Sequence, residues 1–274
     1  MCSSFLRWVV LAGSILIVGG VHARELRVCA DPNNLPFSNE AGEGFENKLV
    51  SLIAEELGAE VRYTWWAQRR GFLRNTLKAE ACDLVPGLPA NLEGVRTTAP
   101  YYRSSYVFVI RAEGPDVQSF NDPVLRQAKI GVHLIGDDGS NTPPAHALGR
   151  RGIVENVRGF MIYGDYSDPN PPARILEALA KREIDVAIVW GPLGGYFAEH
   201  ESVPLKVNPV RPIFDGPQLP MVFDISMAVR KEDEALRQEV DAALSRRRAD
   251  VDAILAAYRV PRLDGSRKQA GRIP

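Results

Sequence analysis

Cysteine is scarce in this 274-residue chain, which has three (Cys2, Cys29 and Cys82) alongside only four histidines. His22 lies in the leading segment described below. His133, His146 and His200 share no ligand spacing, so no metal is expected. No G-x-S-x-G elbow and no glycine-rich phosphate loop occurs, which removes the commonest hydrolase and nucleotide-binding signatures. Charge of one sign is lacking too. The 33 Lys and Arg against 34 Asp and Glu leave a net charge of -1, too little to draw nucleic acid or a membrane surface. No apolar run reaches the roughly 18 to 20 residues that span a bilayer. Neither a catalytic residue nor a cofactor is expected from what remains.

The first 23 residues read as a signal peptide: Arg7 is the positive start, Trp8 to Gly20 the apolar run, and Val21-His22-Ala23 the small-residue cleavage site. A membrane anchor is the weaker reading, because the run is short. The mature chain is expected to begin at Arg24, exported and without a membrane span. From Ser245 to Pro274, eight Arg or Lys stand against three Asp. That reads as a solvated helix end and tail, with a docking surface for an acidic partner as the alternative. Of the cysteines, Cys29 and Cys82 are left. An exported pair is expected to be bridged, although the usual register of neighbouring parallel strands would offset the two and leave them free.

Strands alternate with helices along the mature chain, which predicts parallel βαβ units. Strand 26–30 leads to a helix over 45–58 with Phe45, Leu49, Leu52, Ile53 and Leu57 on one face. A strand at 60–65, a helix over 68–81 and a short strand at 83–88 follow. The pattern restarts with strands at 128–134, 159–163 and 185–190 separated by helices at 144–151 and 172–182, then a helix at 193–200 and a short strand at 205–207. Five prolines between Pro204 and Pro220 predict an extended loop. One helix is expected over 232–258. Long β runs at 105–111 and 222–230 have the character of a two-crossing hinge. The expectation is an α/β fold of two βαβ lobes: lobe one over 24–108 plus 228–274, lobe two over 113–222.

The first strand runs into Asp31-Pro32-Asn33-Asn34-Leu35-Pro36-Phe37 and then a helix opening Gly44-Phe45-Glu46. In an open α/β sheet such strand-end loops grip ligands. This opening resembles that of periplasmic solute-binding proteins of the amino-acid-binding type, and the resemblance implies the type II periplasmic-binding-protein fold. In those relatives an Arg after the third strand clamps the ligand carboxylate, a task suited to a bidentate guanidinium. Anchored on Pro100-Tyr101, that position is Asn91 here. The acid that binds the ligand ammonium, at the end of a lobe-two strand, is replaced by Trp190. Both charged anchors are therefore missing.

Other segments are more specific. They are CADPNNLPFSN, W-x-Q-R-R-G-F-x-R-N-T-L, A-C-D-x-V-x-G, T-T-x-P-Y-Y-R-S-x-Y-V and V-W-G-P-L-x-G-Y. Together they resemble the MxaJ/XoxJ family, periplasmic proteins encoded with pyrroloquinoline-quinone-dependent methanol or alcohol dehydrogenases and their cytochrome c acceptors. The resemblance implies a periplasmic, monomeric, non-enzymatic accessory of such a dehydrogenase, of the lanthanide-dependent branch, that binds the enzyme and assists its maturation or activation. The cytochrome c is a second candidate partner. Cleft or partner-binding candidates are Asp31, Asn34, Phe37, Trp66, Gln68, Arg69, Arg70, Asn91, Tyr101, Tyr102, Arg103 and Trp190.

Blander readings stand beside these. Trp65 and Trp66 alternate across a strand, so one is expected in the core. Arg69-Arg70 can be a solvated helix start, and Tyr101 and Tyr102 packed cleft wall with one wet hydroxyl. One rival function is a transport receptor for a small aromatic or anionic solute, held by Arg69, Arg70 and Arg103. An enzyme would need an acid in the cleft. Asp31, Glu46 and Glu93 are the nearest, and no paired arrangement tunes any of them.

Overall fold

The computed structural model describes residues 24–134, 141–162 and 168–263. The segment read as a signal peptide, 1–23, lies outside them. β1 (Arg24–Ala30) is followed by a small ribbon of β2 (Asn33–Asn34) and β3 (Ser38–Asn39), then by α1 (Phe45–Leu57) and β4 (Ala59–Trp65). β1 and β4 pair in parallel from Arg24 opposite Ala59 to Ala30 opposite Trp65. α1 buries Phe45, Leu49, Leu52 and Ile53 on its inner face. It ends at Gly58, whose positive φ of 61° lets its amide return to the carbonyls of Ala54 and Glu55.

The expected helix over 68–81 is reduced to α2 (Phe72–Asn75) and a 3-10 turn at Leu77–Ala79. The interruption is Thr76: its hydroxyl donates back to the Phe72 carbonyl at 2.6 Å, and its backbone leaves the helical region. β5 (Val85–Pro89), β6 (Arg96–Thr97) and β7 (Tyr102–Arg111) follow. Leu84 bridges Val28 in parallel, which docks β5 against β1.

The second set comprises β8 (Ile130–Leu134), α3 (Pro143–Arg150), β9 (Val157–Met161), α4 (Arg174–Ala180), β10 (Val186–Trp190), α5 (Gly191–His200) and β11 (Leu205–Pro209). The chain returns through β12 (Val222–Val229) and ends in α6 (Glu234–Arg246) and α7 (Arg248–Ala257). The single helix expected over 232–258 is thus broken at Arg247. Unbroken, it would run about 40 Å and carry its far end off the lobe. Broken, it lets Val240, Ala243 and Leu244 share one core with Val251 and Leu255.

The strand order β5-β12-β7-β10-β8-β9 passes through both lobes. Residues 102–105 of β7 pair with 225–222 of β12, while 106–110 pair with β10 and 107–111 with β11. From Ile225 onward β12 pairs with β5. The two chain crossings therefore lie side by side as an antiparallel pair. On one side of them are the clusters around Phe45 and around Cys29; on the other are those around Val107 and Phe108.

Cys29 and Cys82 are bridged, with Cα atoms 5.6 Å apart. The register objection does not apply, because Cys82 precedes β5. The amides of Asp83 and Leu84 both turn onto the Arg27 carbonyl, which folds the approach to the strand toward β1. The bridge closes a 53-residue span around α1 and β4, and both sulfurs are wholly buried.

α1 also carries a carboxyl into the core. Glu46 is buried, and burial pushes its pKa up to about 8. Its Oε1 lies 2.1 Å from where a Cβ on Gly87 would stand, so only glycine fits there.

Two stability outcomes follow. Replacing both Cys29 and Cys82 by Ala should cost about 2 to 5 kcal/mol in urea unfolding, the range for removing a native disulfide. Glu46 holds its proton in the folded chain at a pH where the unfolded chain releases it. Its contribution is therefore complete below about 4.5 and lost as pH rises through about 8. Between pH 5.5 and 7.5 the parent should lose up to about 3 kcal/mol more than Glu46→Gln, at 1.36 per pH unit. Equal losses in the two chains would show that Glu46 ionises freely.

Candidate functional site

At the end of β1 the Asp31 carboxylate is buried and organises the loop that follows. Its Oδ1 accepts from the Asn33 amide at 2.9 Å and its Oδ2 from the Gln68 amide at 2.7 Å. Asn34 donates to the Gln68 Oε1 at 3.1 Å, and the Ser38 hydroxyl donates to the Asp31 carbonyl at 2.8 Å. Asp31, Asn34 and Gln68, candidates from two separate segments, are thus one hydrogen-bonded unit. The same loop starts α1: the Pro36 and Phe37 carbonyls accept from the amides of Phe45 and Glu46. Gly44 lets them approach, since a Cβ there would sit 2.0 Å from the Phe37 oxygen.

The loop then reaches across to the other lobe. Leu35 is 7% exposed and belongs to the core that contains Val107, Phe160 and Ile175. Phe37 packs against that core and against the one around Phe45, with its ring 5.4 Å from Phe45. The Asn33 side chain donates to the Asp168 carbonyl at 2.7 Å and accepts from the Asn170 amide at 3.3 Å. A second link lies at the carboxyl end. Tyr258 stacks on Tyr196 of α5 at 5.6 Å, and its hydroxyl donates to the Glu43 carbonyl. The Ser104 hydroxyl, at the crossing, donates to Pro261 at 2.6 Å.

Trp190 precedes α5 and meets Tyr106 and Phe223 edge-on, with centroids 5.3 and 5.9 Å away. It packs against the same core as Phe37. Tyr101 and Tyr102 are 2% and 3% exposed, so the wet hydroxyl expected of one of them is absent. The Tyr101 hydroxyl is buried, with the Gly87 backbone as a polar neighbour. Burial, and after it the nearby Glu46 carboxyl, push both phenols well above their usual range. Neither serves as a base near neutral pH.

The remaining candidates lie elsewhere. Trp66 is 41% exposed, and Arg69 and Arg70 are exposed beside it on the turn before α2. Trp65 is half-buried and stacks on Tyr63 at 4.4 Å, so neither tryptophan enters the core. Asn91 is exposed in a shallow depression with Arg96, Glu234 and Arg237. Arg103 faces Asp224 at 3.7 Å and lines a different groove, in which none of Trp66, Gln68, Arg69 or Arg70 takes part. Sequence reasoning missed Asn33 and Leu35, the residues that reach the second lobe. An apolar residue between two asparagines and a proline was the available signal. No group of His, Cys, Asp or Glu able to hold a metal occurs among the described residues. No helix there is long and apolar enough to cross a membrane.

Comparison with known proteins agrees with this geometry. The model of the bacterial extracellular solute-binding proteins, family 3, matches residues 26–259. Protein MoxJ of Methylorubrum extorquens is 33% identical over 251 residues, covering 87% of this chain and 82% of MoxJ. The crystal structure of the periplasmic binding protein XoxJ from Methylobacterium extorquens AM1 superposes with a TM-score of 0.70 at 37% identity, over 87% of this chain and 99% of that one. The crystal structure of MxaJ from Methlophaga aminisulfidivorans MPT gives 0.75 at 26%, over 87% and 100%. With the two-crossing fold, the strand-end loop and these likenesses together, the chain belongs to the bacterial extracellular solute-binding proteins, family 3, and within them to the MoxJ, MxaJ and XoxJ group.

Proposed function

We propose that this protein is a periplasmic, non-enzymatic accessory of a pyrroloquinoline-quinone-dependent methanol or alcohol dehydrogenase, which it binds as a monomer to assist maturation or activation. One observation carries the reading: the strand-end loop, which in relatives of this fold grips a solute, here packs its own side chains against both lobes. Leu35 is seated in the second lobe's core, Phe37 packs against both lobes, and Trp190, which by sequence takes the position of the ammonium-binding acid, packs its ring against Phe223. Apolar contacts cannot replace the charged hydrogen bonds that fix a zwitterion, each worth about 1.5 to 3 kcal/mol. What is left at the surface is Trp66 with Arg69 and Arg70, residue types enriched in protein-protein hot spots. We assign the dehydrogenase contact to this face, with Gln68 anchoring it to Asp31.

No standard amino acid should bind at micromolar affinity in titration calorimetry. A heat of binding at that level would restore the transport-receptor reading, with Arg69 and Arg70 as its anion holders. Purified dehydrogenase, in cofactor-free or loaded form, should bind the parent and lose roughly thirty-fold in affinity to folded Trp66→Ala or Arg70→Ala variants. Failure of the parent to bind either form would sink the accessory role. Unchanged binding by the variants, together with loss on neutralising Arg246 to Arg248, would move the contact to the bend between α6 and α7.

A further inference from the structure

The loop from β11 to β12 crosses the place where the chain passes between lobes, and there it walls a groove of about 640 Å³. Three guanidinium groups line it, Arg103, Arg211 and Arg248, with the Asp224 carboxylate facing Arg103 and the Asp252 carboxylate paired with Arg248 behind the wall. Arg103 and Asp224 stand 3.7 Å apart and both keep a third or more of their side chains exposed, so they neutralise each other only weakly. Arg248 is fixed in the wall by the Tyr101 carbonyl and by Asp252, each at 3.1 Å. Arg211 is exposed, and its amide is tied to the Gln118 carbonyl at 2.8 Å.

The rim is apolar. Ile213 lines the groove and Phe214 follows it, 42% and 49% exposed. The loop that presents them is built. Met221 donates to Ile213, Asp215 donates to Leu219, and the buried Asp215 carboxylate takes both Arg151 nitrogens at 2.6 and 2.9 Å. Ile213 is therefore held in water in the groove beside the guanidinium groups, with Phe214 next to it on the same braced ribbon.

We propose that this groove docks an acidic segment of a partner protein that also carries a large apolar side chain. The charge complements carboxylates, which guanidinium groups grip in two-pronged fashion. Ile213 and Phe214 ask for an apolar contact that a simple anion lacks. The chain's own last residues do not suit the site: beyond Leu263 they carry Arg267, Lys268 and Arg272 against Asp264, the same sign as the groove. The groove draws residues from both sides of the crossing, so its occupant touches both lobes at once. This rests on the accessory reading only in taking the occupant to be a protein.

The test uses a labelled peptide, acetyl-Glu-Glu-Phe-Leu-Glu-Glu-amide, with the full-length mature protein in fluorescence anisotropy at low salt. The peptide should bind the parent and weaken as salt screens the charges. Replacing its glutamates by glutamines should cost tenfold or more. Arg211→Glu and Ile213→Ser should each cost tenfold or more at unchanged melting temperature, since both side chains are exposed. Arg69→Ala and Arg70→Ala should leave peptide binding intact. Absence of peptide binding, equal binding of the glutamine peptide, or indifference to Arg211→Glu overturns the proposal. So does full competition by succinate at matched carboxylate concentration, which would make the groove a small-anion site, or by a single-stranded oligonucleotide, which would make it a polyanion site. Loss of dehydrogenase binding by the parent with peptide binding retained would instead count against the accessory reading alone.

Discussion

The carboxylate of Asp31 is the interaction on which the arrangement between the lobes depends. By accepting from Asn33 and Gln68 it turns the chain out of β1 and holds the loop against the start of α2. In that conformation Pro36 and Phe37 offer their carbonyls to the first turn of α1, and Leu35 reaches the second lobe's core. Hydrogen bonds to a buried carboxylate are worth more than neutral ones, and an unpartnered one would be costly. One acid therefore ties the first strand, the first helix and the opposite lobe together.

The use of the inter-lobe space follows from this. Leu35 is buried in the second lobe's core, while Phe37, Trp190 and Phe223 are half-buried against the cores they touch. Full burial of a side chain such as Leu35 stabilises by roughly 1.5 to 3 kcal/mol. The carboxyl-terminal segment adds a second tie, through Tyr258 on Tyr196 and Pro261 on Ser104. Charged groups are correspondingly displaced outward: Arg69 and Arg70 to the surface near Trp66, and Arg103 to the groove at the crossing.

Much of the fold was legible because its signals are local. The apolar period of α1, the strands at 26–30 and 185–190, and the hinge-like runs near 105–111 and 222–230 each depend on residues close in sequence. The two helix errors came from local exceptions with non-local causes. The Thr76 hydroxyl competes for a helix carbonyl, and Arg247 marks a bend whose purpose is to keep two segments on one core. The fate of Asn91 and Arg103 was not legible at all. Their neighbours, Glu234 and Arg237 for the one, Arg211 and Arg248 for the other, lie more than a hundred residues away along the chain.

By itself the sequence determined the alternation of strands and helices and the motifs that place the chain in its family. These depend on residue identity and on spacing within single elements. Only the tertiary structure decided which of the candidates meet. It joined Asp31, Asn34 and Gln68, sent Leu35 across to the other lobe, and separated Arg103 from Arg69 and Arg70. The physical reason is that the chain crosses between lobes twice. Residues adjacent in sequence at a crossing face different surroundings, while segments far apart in sequence are brought onto one surface.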